Sequence, residues 1–234
     1  MVIWLKRTLL LSALLAVVSL ALVAGPASAL NQRSPQVVFN YGPLQGYLNT
    51  VDPGINVATD QLDAQVWSVS VTGNSDFTLM LRSPIGFGDA FGVYNSSAPI
   101  GPIPPLFQVF PGGAVAGWYA ALHFGGGNLV VSLFNQNSIF MGSTVYPGVS
   151  PNSFAYYLQG PGGLWFSQDA RNAPAGPQML TYGSLGSPGD FWLCWDPIPY
   201  SPDGSFDGVV INVQSVHPTP TGTGTWGKLK GEYR

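Results

Sequence analysis

Asp196, Asp203 and Asp207 fall within a dozen positions, in the short loop between two apolar runs of the stretch Phe191–Val213, FWLCWDPIPYSPDGSFDGVVINV. Carboxylates gathered at one edge of a β-fold do one of three things. They start turns, hold a cation, or work as an acid/base pair. Asp196 precedes a proline and Asp203 a glycine, as turn-starting aspartates do. As Ca²⁺ ligands the three would draw further oxygens from backbone carbonyls and Asp190, because a hard cation takes about six to eight. Asp196 and Asp207 could instead face one cleft as a glycosidase pair, which requires a separation of about 5–10 Å. A Ser-His-Asp arrangement has little to build on, since His123 sits in an apolar run, His217 opens a Pro/Thr-rich segment, and no Gly-x-Ser-x-Gly elbow occurs. Among the tryptophans, Trp165 follows Gly160-Pro-Gly-Gly, a loop from which a ring can reach solvent and stack on a sugar. Trp118, Trp192 and Trp195 read more readily as core.

The elements that must position these residues are strands. Alternating or wholly apolar runs recur between Gly, Pro, Asn and Ser clusters, and no long segment has helical periodicity. Strands are expected at Gln36–Asn40, Val66–Val71, Phe77–Leu81, Ala90–Tyr94, Leu106–Phe110, Trp118–Phe124, Asn128–Phe134, Ser153–Leu158, Leu164–Ser167, Gln178–Tyr182, Phe191–Trp195 and Val209–Val216. Trp67, Val69 and Val71 would share one face, as would Phe77, Leu79 and Leu81. Gly125-Gly126-Gly127 reads as a hairpin turn. Phe191–Trp195, apolar on both faces, reads as a central strand with Cys194 buried in it. Only Leu44–Asn49 suits a helical turn. The expected fold is all-β, a single two-sheet antiparallel β-sandwich of jelly-roll type spanning residues 30–216.

The chain has 234 residues with 30 Gly, 21 Pro and only 8% charged side chains, yet 46% hydrophobic and 13% aromatic residues supply a core. Lys6 and Arg7, the apolar run Leu9–Val23 and Ala27-Ser-Ala29 have the form of a secretory signal peptide, with cleavage expected after Ala29 and no spanning segment left behind. Between Ser34 and Gly227 the only basic residues are Arg82 and Arg171. Nucleic acid is therefore a poor partner, since phosphate binding needs a basic footprint. Cations, polysaccharides or surface proteins suit this body better. With Cys194 the only cysteine, no intrachain disulfide can form. Residues 217–225 read as a Pro/Thr/Gly linker. In the tail 226–234, Trp226, Lys228, Lys230, Tyr233 and Arg234 form a basic-aromatic end suited either to fraying or to recognition by a sorting or surface-attachment system.

Asn56–Gln61, Phe91-Gly-Val-Tyr94, Phe154–Leu158, Phe166-Ser-Gln-Asp169 and the closing Trp-Asp-x-x-Pro…Asp-Gly-Ser-Phe-Asp-Gly-Val-Val occur in an order that resembles the bacterial extracellular domain of unknown function 4114, over about Leu44 to Val216. The resemblance implies a secreted, β-rich protein, often followed by a sorting segment, with calcium suggested by an oxygen-rich loop. This chain departs from the pattern at Ser205 and Gly208, where carboxylates are usual, and lacks the Pro-Glu-Pro sorting segment. What results is the expectation of an exported surface or matrix component, with a carbohydrate-binding module as the alternative and a glycoside hydrolase behind both.

Overall fold

The computed structural model describes residues 31–198 and 204–219. The leader, Asp203 and the tail residues Trp226, Lys228, Lys230, Tyr233 and Arg234 lie outside these. The chain forms α1 (Tyr41–Val51) and then strands β1 (Val66–Val69), β2 (Asn74–Arg82), β3 (Ala90–Asn95), β4 (Phe107–Phe110), β5 (Tyr119–Gly125), β6 (Asn128–Phe134) and β7 (Phe140–Pro147). It continues with β8 (Phe154–Gly160), β9 (Gly163–Phe166), β10 (Met179–Gly183), β11 (Phe191–Trp195), β12 (Val209–Gln214) and β13 (Val216–Thr219). Two antiparallel sheets result. The larger runs β10-β11-β12-β2-β5-β6-β7, and the smaller runs β13-β1-β8-β3-β4 with β9 also on β8. Among the described residues no helix is long and apolar enough to cross a membrane.

The inner faces of both sheets share one core, joined by aromatic contacts. Trp67 of the smaller sheet lies 5.0 Å from Phe191 of the larger, and Phe91 lies 6.2 Å from both Phe77 and Trp195, centroid to centroid. Such edge-on pairs add to the stabilisation from apolar burial. A second core lies on the outside of the larger sheet, where Leu44 and Leu48 of α1 cover Leu180, Tyr182, Trp192, Cys194 and Val210. Outside the smaller sheet, Tyr94, Ala155, Tyr157 and Phe166 form a third cluster. The Arg171 guanidinium sits over the Tyr94 and Phe166 rings at 5.1 and 5.6 Å, a cation–π cover.

Most expected strands are present, and the differences have local causes. Gln36–Asn40 is extended but joins no sheet; its Val37 N–H and C=O bond the Gln61 side chain instead. The helical turn at Leu44–Asn49 is part of an 11-residue helix capped by Asn40 and Asp52. A bulge where Val210/Ile211 pair with Leu81/Leu79 turns Leu81 away from Phe77 and Leu79 toward the α1 cluster. β1 stops at Val69, leaving Val71 fully exposed in a turn. Val209–Val216 breaks at Ser215, whose φ is 57°, and the chain then pairs with β1 as far as Thr219. His217 thus lies in a strand beyond the expected edge of the domain. β7 was not expected at all; it is the edge strand next to β6.

Candidate functional site

The connection from β11 to β12 carries the acidic residues, and its residues 196–198 and 204–208 are among those described. Asp196 is buried, and one of its carboxylate oxygens accepts from the Ile198 N–H at 3.1 Å, a turn closed across Pro197. Burial pushes its carboxyl pKa up and the charge of Asp207 pushes it further, so the two acids feel one another. Asp207 accepts from the Ser205 hydroxyl. Gly208 donates to the Trp195 carbonyl at 3.1 Å, and a Cβ there would run into the Pro197 ring. The position where the resembled family carries an acid is therefore closed to any side chain in this packing. Phe206 is buried against Phe39, 5.0 Å away, and the Asn40 N–H bonds the Gly204 carbonyl at 3.1 Å, fixing the loop to the segment before α1. Among the described residues no three His, Cys, Asp or Glu side chains gather for a metal. Of the three acids, Asp196 and Asp207 lie among the described residues and close enough for their charges to interact.

Trp165 is half-buried against the main core, and its indole N–H donates to the Pro197 carbonyl at 3.0 Å. The ring braces the acidic loop through this bond. Trp195 and Trp192 are buried, while Trp118 donates to the Gln136 side chain at 2.7 Å. Cys194 is wholly buried, and burial raises its thiol pKa far above the ordinary range, leaving an inert apolar side chain.

Asp52 and Asp89 escape sequence reading for different reasons: the partners of Asp52 lie 133 to 140 positions away, while Asp89, seven positions from Arg82, is buried only by the fold. Asp52, at the C-cap of α1, accepts from the backbone of Leu185 and Gly186 at 3.0 and 3.1 Å and from the Trp192 indole at 2.8 Å. Burial alone would raise its pKa, but these bonds outweigh it and hold the carboxyl below its usual value. Asp89 is buried beside Arg82, whose guanidinium donates to the Asp89 and Gly112 carbonyls rather than to the carboxylate. Burial pushes the Asp89 carboxyl up to about 6, partly offset by the Arg82 charge.

The remaining surface feature is the outer face of the larger sheet. Cross-strand register lines up Tyr182, Trp192, Asn212, Thr78, Tyr119, Phe134 and Phe140 in one row over all seven strands. α1 and the Asp52-held loop cover one end. Beside them lies a groove of about 330 Å³ lined by Thr78, Asn212, Gln214, Ser184, Ser187 and Asp190, with Trp192 at its floor. Over β5, β6 and β7, at the far end, none of the described elements covers this face. There Tyr119 and Phe134 stack at 4.5 Å with planes 4° apart, and Phe140 leans on Phe134 at 5.4 Å. Each stacked ring covers a face of the other, so the pair forms an apolar rib and leaves little of a flat platform. Between Asp89 and Asp169 the chain has no Asp, Glu, Lys or Arg, so β5, β6 and β7 have none. Ile139, Phe140, Met141 and Val145 are all at least half exposed along this edge. Against known proteins, no family model, curated protein or solved structure matches this chain.

Proposed function

We propose that the protein is an exported, non-enzymatic β-sandwich of jelly-roll kind that acts at a cell surface or in an extracellular matrix by binding or assembly. The observation that carries this reading is the apolar, uncharged β7 edge with its aromatic rib, because monomeric proteins usually blunt such edges with charge, and β7 has no charged residue and a proline only at its last position, Pro147. The form of the leader and the ordered resemblance to the 4114 domain support export. The acidic loop serves as a structural closure, with Asp196 and Asp207 forming turns. A tagged full-length chain expressed in a secreting bacterium should partition with the cell surface or matrix, and Phe140→Asp should shift it into the medium. Recovery of the wild type wholly as free protein in the medium would end this reading.

A carbohydrate-binding role is the second reading, favoured by the Thr78/Asn212/Gln214 groove in line with Tyr119 and Phe134. Strand spacing of about 4.8 Å sets one side chain of the row for roughly every sugar ring of a polymer laid across the strands. Co-sedimentation with insoluble polysaccharides checks it, the expected outcome being retention lost on Gln214→Ala and Phe134→Ala. Equal retention of Trp165→Ala and wild type would fit the bracing role of that ring.

A further inference from the structure

Among the described residues, β7 pairs with β6 and has no strand on its other side. Its register opposite β6 is Leu129↔Tyr146, Val130↔Val145, Val131↔Thr144 and Ser132↔Ser143, and the Gly148 N–H bonds the Gly127 carbonyl at 2.8 Å. Hydrogen bonding alternates along an antiparallel strand. With Gly148 turned toward β6, so are Tyr146 and Thr144, whereas Ser143 and Val145 direct their N–H and C=O groups away, toward open space. Pro147 ends the strand without a donor. The free groups of Ser143 and Val145 therefore flank Thr144 on either side.

From this phase, and as a deepening of the assembly reading, we infer that β7 pairs antiparallel with β7 of a second copy of this chain about a two-fold axis at Thr144. Ser143 exchanges both backbone hydrogen bonds with Val145 of the second copy, and Val145 does so with Ser143. A strand whose open groups straddle one residue is self-complementary, as a closed two-fold interface requires. Charge favours a like partner too. No charged side chain lies on β5, β6 or β7, so two copies meet there without like-charge repulsion, while the described aspartates lie on other elements. Phe140, Met141 and Val145, half exposed in the single chain, lose water in the pair. The two larger sheets become one continuous sheet.

The test uses purified full-length protein. Sedimentation over a concentration series should show a reversible dimer. Val145→Pro removes an outward N–H and no bond to β6, a place where an edge strand tolerates proline. It should abolish the dimer with the melting curve unchanged. Opposite Thr144 residues would form a non-hydrogen-bonded pair with Cα atoms about 4.5 Å apart, inside the disulfide range of about 4.4–6.8 Å. Thr144→Cys should therefore oxidise to a covalent dimer at least about tenfold faster than the exposed control Ser187→Cys, through proximity. The buried Cys194 should not compete. A wild type that stays monomeric, a dimer that survives Val145→Pro, or equal oxidation of the two cysteine variants would each overturn the inference. Surface retention of a strictly monomeric protein would overturn it while leaving the assembly reading in place.

Discussion

At the scale of single residues, two of the buried acids, Asp52 and Asp89, set opposite pH dependences. Asp52 is held ionised by donors, so its contribution is complete above the unfolded carboxylate pKa of about 3.9 and fades as pH falls through its lowered folded value. Asp52→Ala strands the Trp192 indole and two backbone N–H groups, and should cost about 2–3 kcal/mol in urea denaturation at pH 7. Asp89 works the other way. With its pKa raised to about 6, the folded chain takes up a proton that the unfolded chain does not between about pH 4 and 6, so stability falls as pH rises through that window. The difference between wild type and Asp89→Asn should move in favour of the wild type by about 2–3 kcal/mol between pH 7 and pH 4. Denaturation curves at the two pH values measure it, and a pH-independent difference would refute it. At the acidic loop, Gly208→Asp restores the carboxylate of the resembled family but collides with Pro197; a loss of about 1–3 kcal/mol is expected, with no calcium-dependent rise in Tm over EGTA.

At the scale of elements, what sequence reveals depends on whether a side chain's surroundings are local. Phe191–Trp195 is legible as a central strand because it is apolar on both faces, and all five residues are buried between β10 and β12. The hairpin at Gly126-Gly127 is equally legible, since both residues adopt positive φ (59° and 78°), which glycine tolerates without strain. Replacing the pair by Asn-Gly should leave the melting temperature nearly unchanged, whereas Ala-Ala should cost about 1–2 kcal/mol per residue. β7 escapes pattern reading because its apolar residues face solvent, so its alternation does not report a core. Leu81 and Trp165 escape for a different reason. A bulge in β2 and a bond to Pro197, made across 32 positions, decide where they point. The acidic loop is legible as a cluster but not in its packing, because Gly208 meets Pro197, and Phe206 meets Phe39, only in the folded chain.

At the scale of the whole molecule, the two sheets place their free edges unequally. β4 lies over β7, with the Tyr146 hydroxyl donating to the Gln108 carbonyl at 3.0 Å and the Phe107 ring 5.6 Å from Tyr146. β13 is the other margin of the smaller sheet, four strands away from β4. The chain therefore leaves the described fold at Thr219 on the flank opposite β7. Two copies joined through β7 would have their Thr219 ends on opposite flanks, and the pair would carry the sequence that follows, with Lys228, Lys230 and Arg234, twice. A receptor array reading that sequence would hold the pair by avidity, its second grip strengthened by tethering alone. A single chain, or the Val145→Pro variant, would wash off such an array markedly faster, though every contact to the receptor were the same.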